Sequence, residues 1–327
     1  MAELASAVAI TEFAAILDGQ WPQTRIAEFL TALHERGETP ADIEACARAM
    51  LRRCVRLPSP AADIGGTGGD GAGTFNISTT AALVMAAAGV PVVKHGNRAV
   101  TGGCGSLDML HALGVHVPER ADVADLSARL AGCGFAVAPT PVFHRFPAQL
   151  TSARRALGFP TVFNLAGPLA HPAAVLTGQV VGVADASRAP VLAQTLRRLG
   201  RTRAAVLHGQ GTDEPSLAGP TQVTTLAGEQ VETFEVTPEQ FGLGRAGVAE
   251  LAGGDPALNA GICRAVLSGS TGPHRDVVLL TAGIALWTAG TAPSVGDGVA
   301  VAGRAIDSGA AGRLLRRLTR TPRRAIQ

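Results

Sequence analysis

The chain has 327 residues and a formal net charge of +2, so charge gives no reason to expect a nucleic-acid partner. With 46% hydrophobic and 17% charged residues, it has the composition of a globular protein large enough for one big domain and a small one, and a disordered chain is not expected. Five scattered cysteines, Cys46, Cys54, Cys104, Cys133 and Cys263, show neither CxxC nor metal-ligand spacing, which fits unpaired thiols in a reducing compartment.

The first residues carry Glu3 and Glu12 among short apolar pieces, unlike a secretory leader. No apolar run is long enough to span a bilayer uncut by Gly, Pro or charge, so no membrane partner and a cytoplasmic location are expected. Ile10, Phe13, Ala14 and Leu17 form one helical stripe, and Ile26, Phe29, Leu30 and Leu33 form a second. Pro40 and Asp42, after Gly37, predict a third helix running to about Arg53. Leu57–Ala62, with two prolines, reads as a linker or hinge.

Beyond Asp63, glycine-rich turns alternate with helical stretches at Ala81–Ala88, Leu107–Leu113 and Ala121–Ala131. Predicted strands lie at Val90–Val93, Ala136–Ala138, Gln179–Val183, Ala204–Leu207 and Gln222–Thr225. The alternation predicts an α/β domain with a central, mainly parallel sheet flanked by helices, mixed because the 222–236 region reads as antiparallel. The expected division is a helical domain over 1–62, joined by a helical segment around 150–175, and an α/β domain over 63–327. Arg313, Arg316, Arg317, Arg320, Arg323 and Arg324 read as the solvated face of a last helix and its tail.

Four segments carry chemistry. In Gly66-Thr67-Gly68-Gly69-Asp70-Gly71, followed by Thr74 and Asn76-Ile77-Ser78-Thr79, glycines allow close backbone approach and a helix start presents N–H and hydroxyl groups to an anion. This pattern is neither a Walker A loop nor a Rossmann fingerprint. Lys94-His95-Gly96-Asn97-Arg98 follows a strand, and Lys94 is the only lysine beside 27 arginines. Gly102–Asp108 is a second glycine loop entering a helix, where Asp108 serves either the helix start or a ligand. Asp213-Glu214, in the loop after Ala204–Leu207, suits Mg2+, which takes one or two carboxylates and shares its remaining positions with water and phosphate.

Together, Gly66–Asp70, Asn76–Thr79, Lys94–Arg98, Phe163–Leu169 and Asp213-Glu214 closely resemble the anthranilate phosphoribosyltransferase family. The likeness runs from about Glu12 to Gly312 and takes in Gly37–Thr39 and Gly253–Gly269. It implies a homodimer that binds phosphoribosyl pyrophosphate (PRPP) at a hinge and transfers its 5-phosphoribosyl group to the amine of anthranilate, releasing pyrophosphate. Carried over by position, Gly66, Gly69, Asp70, Thr74, Asn76, Ser78, Thr79, Lys94, Asn97 and Ser106 hold PRPP. Ser78, Asp213 and Glu214 hold Mg2+, while Gly66, Asn97, His144 and Arg154 line the acceptor's path. His95 and His144 are candidates to take the amine proton, and no catalytic base is assigned.

The chain departs from the family on the acceptor side. Where the family has His-Pro-Ala-Met, His144 is followed by Arg145-Phe146-Pro147, and His171 replaces the usual Asn after Gly-Pro-Leu. A serine-rich stretch becomes Thr101-Gly102-Gly103-Cys104, and the loop before Asp213 is one residue shorter. The alternatives are transfer to another aromatic or heteroaromatic acid, a pyrimidine nucleoside phosphorylase and a non-catalytic PRPP-binding protein.

Overall fold

The computed structural model describes residues 2–99 and 103–320. Thr101 and Gly102 of the second glycine loop, and Arg323 and Arg324 of the terminal cluster, lie outside the described residues. Three helices open the chain: α1 (Ala2–Leu17), α2 (Gln23–Arg36) and α3 (Pro40–Arg53). The start of α3 follows from local chemistry. Thr39 accepts from the Asp42 N–H at 3.3 Å, Asp42 accepts from the Thr39 N–H at 2.9 Å, and Pro40 occupies the first turn, where its missing N–H costs nothing.

The α/β part then runs through β1 (Ala61–Gly66), α4 (Ile77–Ala87), β2 (Val92–Gly96), α5 (Ser106–Ala112), α6 (Val123–Cys133), β3 (Phe135–Pro139) and α7 (Thr140–Phe143). It continues with α8 (Ala148–Leu157), α9 (Val162–Leu169), β4 (Leu176–Gly182), α10 (Arg188–Arg198), β5 (Arg203–His208), β6 (Thr221–Ala227) and β7 (Gln230–Val236). Four helices close it: α11 (Pro256–Leu267), α12 (Pro273–Thr288), α13 (Val295–Asp307) and α14 (Ala310–Arg320). The strands form one sheet in the order β3-β2-β1-β4-β5-β6-β7, parallel from β3 through β5 and antiparallel at β5-β6 and β6-β7.

Central strand β1 starts inside the segment read as a linker. Its four leading residues, Ala61–Ile64, are all buried, and Leu57 ahead of it bridges Ala173 ahead of β4, so this stretch is pinned beside the incoming chain of its neighbour strand. A strand covered on both faces needs no polar alternation, which is why its sequence carries no period-two signal.

On one face of the sheet, Ile64, Val180, Ala205 and Leu207 pack with α4, α12 and α13. On the other, Val181, Val183, Ala204 and Val206 join Phe13, Ile26, Leu30, Ile43 and Met50 of the first three helices and Leu150, Phe163 and Leu169 of α8 and α9 in one apolar cluster. The opening helices are therefore cemented to α8, α9 and α10 rather than forming a core of their own. From β1 the chain moves to β2 and β3 on one side, then returns to β4 on the other. Such a reversal of strand order opens a crevice at the carboxyl ends of the strands where α/β proteins bind ligands.

Candidate active site

The crevice is a cavity of about 850 Å³ beyond the ends of β1 and β2. Gly66 ends β1, Lys94–Gly96 end β2, and the loop after β5 brings Asp213 and Glu214 beneath the glycine loop. Asp213 sits there because two glycines let it: a Cβ on Gly66 would strike its carboxylate, and one on Gly182 would overlap its backbone carbonyl. Its carboxylate accepts from the Gly68 N–H at 2.7 Å, and Glu214 accepts from the Ser78 N–H at 3.0 Å, taking one of the donors that a helix start leaves open. Gly68, Gly69, Gly71 and Gly73 all lie at φ between 64° and 79°, so the loop turns repeatedly with bare backbone toward the cavity.

The electrostatics of this corner are unbalanced. Burial, then the charge of Asp213, pushes the Glu214 carboxyl up to about 8, and burial followed by neighbouring Asp70 pushes Asp213 up to about 6. Among the described residues no arginine or lysine forms an ion pair with either carboxylate. Lys94, buried, donates instead to the Ile64 carbonyl at 2.5 Å, and burial lowers its pKa against the pull of Asp63, Glu214 and Asp213. Crowded carboxylates lacking a cationic partner are a site for a cation. No three His, Cys, Asp or Glu side chains among the described residues converge as a ready-made metal cage.

The remaining donor-side positions are tied together by polar contacts. Asn76 donates to the Cys104 carbonyl at 3.1 Å and accepts from Asn259 at 2.9 Å, while Asn259 accepts from the Gly254 N–H at 2.8 Å. Three loops distant in sequence are thus stapled across one wall. Asn259 escaped sequence reasoning, and its only signal was an amide at an otherwise apolar position of α11. Asp108 resolves to the structural alternative: it accepts from the Gly105 and Ala99 N–H groups and pairs with Arg98 at 2.8 Å, bracing the loop without lining the cavity.

The opposite wall is built by the helices. Met50, Phe146, Arg154, Phe163, Asn164, Gly167 and Pro168 line it. Arg154 donates to Asn164 at 3.2 Å and stands over the Phe163 ring at 5.6 Å, and no carboxylate among the described residues pairs with it. A planar guanidinium left without an anion beside aromatic rings suits the carboxylate of an aromatic acid.

His144 requires a correction. The sequence reading put it on the acceptor's path, but it is buried behind the wall, with Nε2 2.8 Å from the Ala170 carbonyl, and burial lowers its pKa to about 4. His95 does line the cavity, packed at 5.2 Å from His144 and 5.5 Å from His171. All the other sequence-predicted positions, Gly66, Gly69, Asp70, Thr74, Asn76, Ser78, Thr79, Lys94, Asn97, Ser106, Arg154, Asp213 and Glu214, meet in this one cavity.

Two family models match the chain, the helical bundle domain of a glycosyl transferase family over residues 3–54 and the α/β domain of the same family over 58–312. Among named relatives, the anthranilate phosphoribosyltransferase of Moorella thermoacetica is 47% identical over 300 residues, covering 90% of this chain and 88% of that protein. The chain belongs to the anthranilate phosphoribosyltransferase family. The family member from Thermus thermophilus superposes with a TM-score of 0.89 at 40% identity, covering 96% of this chain and 94% of that one. The Saccharomyces cerevisiae anthranilate phosphoribosyltransferase, solved with PRPP and Mg, matches with a TM-score of 0.82 at 30% identity over 91% and 84% of the two chains. The yeast protein has also been solved with 4-fluoroanthranilate, and that structure matches with a TM-score of 0.83 at 27% identity over 98% and 92%.

Proposed function

We propose that this chain transfers the 5-phosphoribosyl group of PRPP to the amine of anthranilate and releases pyrophosphate, a pentosyl transfer in the tryptophan branch. One observation carries the reading. A single cavity holds a glycine loop with open backbone, a carboxylate pair that calls for a cation and, facing them, an arginine without an anion set among aromatic rings. The ligands of the yeast relative, PRPP with Mg in one structure and 4-fluoroanthranilate in another, match these two halves in chemistry.

On the donor side, Gly66, Gly69, Asp70, Thr74, Asn76, Ser78, Thr79, Lys94, Asn97 and Ser106 receive the phosphates and ribose of PRPP. Asp213, Glu214 and Ser78 are suited to hold Mg2+, because the two carboxyls are buried side by side without an ion-pair partner, and a cation there offsets the penalty that raises both their pKa values. Bound there, Mg2+ supplies positive charge to the departing pyrophosphate. Lys94, fixed on the Ile64 carbonyl, adds a compact positive charge from the strand end.

On the acceptor side, Arg154 orients the carboxylate, and Gly66 and Asn97 border the path of the amine toward C1 of the ribose. Holding the amine against C1 supplies most of the acceleration, without a covalent enzyme intermediate. His95 is the only imidazole on the wall among the described residues. Thr140 donates to the Gly96 carbonyl at 2.9 Å, so His95 Nε2 donates its proton to Thr140 at 3.2 Å and Nδ1 keeps a lone pair. That leaves His95 as a candidate to receive the amine proton, although burial, which lowers its pKa well below the ordinary value, opposes its holding that proton.

The same proposal takes residues 1–62 with the segment around 150–175 as a helical body, 63–327 as the α/β body, and the cavity as the hinge between them, in a cytoplasmic homodimer. Pyrophosphate release measured over a panel of aromatic and heteroaromatic acids, with PRPP and Mg2+ present, tests the acceptor. Anthranilate is expected to exceed the other acids by orders of magnitude in kcat/KM. Equal or faster release with a heteroaromatic acid would overturn the choice of anthranilate.

A further inference from the structure

We propose that Phe146 is the specificity-determining wall of the acceptor half of the cavity: the acceptor ring lies against it, and its bulk limits which ring positions can carry substituents. This rests on the function proposed above and narrows it for this chain. In the segment between α7 and α8, Arg145 is exposed, whereas Phe146 is half-buried and lines the cavity.

The ring is held on two sides. It lies 6.3 Å from the His144 ring at an interplanar angle of 19°, and 5.9 Å from Phe163 at 70°. His144 cannot yield, because it is buried and held to the Ala170 carbonyl. Pro147, which caps α8, confines the preceding backbone to extended geometry, so Phe146 cannot follow the helix away from the cavity. Aromatic neighbours sit roughly 4.5–7 Å apart, so His144 already covers one side of Phe146 and a ligand ring is left with the side facing the cavity.

Phe163 connects this wall to the anion site, because it packs against Phe146 and also lies under the Arg154 guanidinium. One acid can then place its carboxylate on Arg154 and its ring on Phe146. A rigid wall at that point discriminates by size, and one methyl group against such a wall is worth roughly 10- to 200-fold in specificity.

The test compares wild type with Phe146→Ala and Phe146→Leu. It measures kcat/KM for anthranilate and for anthranilates bearing methyl or chloro groups at each open ring position, together with the KM of PRPP and the melting temperature. Phe146→Ala is expected to raise the KM of anthranilate, leave that of PRPP within about twofold, and shift the ratio of substituted to plain anthranilate by at least about tenfold at one or more ring positions. Phe146→Leu should shift it in the same direction by less, and it carries the test if the alanine variant does not fold. A ratio unchanged at every ring position in a folded variant overturns the inference. If the wild-type protein transfers to none of these acids, the failure belongs to the proposed function itself.

Discussion

Glu214 is the side chain on which the donor half turns most sharply. Its carboxyl is pushed up to about 8 by burial and by Asp213, and Ser78 is its hydrogen-bonding partner. In the proposed site Mg2+ removes that penalty by replacing the proton. Glu214→Gln keeps the shape and the Ser78 contact but removes the charge, so kcat/KM is expected to fall by about 10²–10³ and the Mg2+ needed for half-maximal rate to rise. Steady-state rates over a Mg2+ titration check this, and a variant with full turnover and unchanged Mg2+ demand contradicts the assignment. The functional types of these residues were legible in the sequence because they sit in contiguous runs: a glycine loop, one lysine in an arginine-rich chain and an acidic pair. Asn259 and Met50 were not legible, because each reaches the cavity from a helix whose own pattern is that of ordinary packing, whereas Phe146 stood out in the sequence only as a departure on the acceptor side.

At the scale of elements, boundaries set by capping were readable and those set by burial were not. Thr39, Pro40 and Asp42 mark the start of α3 through local hydrogen bonds. Strand β1, by contrast, exists because both its faces are covered, and nothing local in Ala61–Gly66 announces it. His144 was misplaced for a related reason: sequence order puts it beside the acceptor wall, while the direction of its side chain is set by the Ala170 carbonyl, 26 residues away. The cap on α3 has a measurable weight. Thr39→Ala removes one reciprocal bond of the capping box and is expected to cost about 1 kcal/mol of unfolding free energy. Because α3 presents Met50 to the cavity, KM for the acceptor should rise more than that for PRPP. Urea unfolding followed by circular dichroism, beside the two KM values, checks both expectations.

For the whole molecule, the buried imidazoles give stability a pH dependence. His95, His144 and His171 are all lowered chiefly by burial, His144 to about 4. In the unfolded chain they take up protons near 6.5, so between 6.5 and about 4 the unfolded state binds more protons and stability falls as pH falls. Each such histidine contributes a slope of about 1.4 kcal/mol per pH unit within its window. Asp213 and Glu214, raised in the folded state, act oppositely and lose stability as pH rises toward 6 and 8, so the histidine contribution is isolated by difference. His144→Phe should flatten the fall in stability between pH 6.5 and 4.5 relative to wild type, measured by urea titration at several pH values, and an unchanged slope would contradict a neutral buried His144.

In the proposed function, one cavity joins PRPP to anthranilate. The most direct measurement follows anthranilate fluorescence with the purified protein, PRPP and Mg2+. Fluorescence should disappear with one pyrophosphate released per anthranilate consumed, and only when PRPP is present. Undiminished fluorescence with protein, PRPP and Mg2+ all in place would contradict the account.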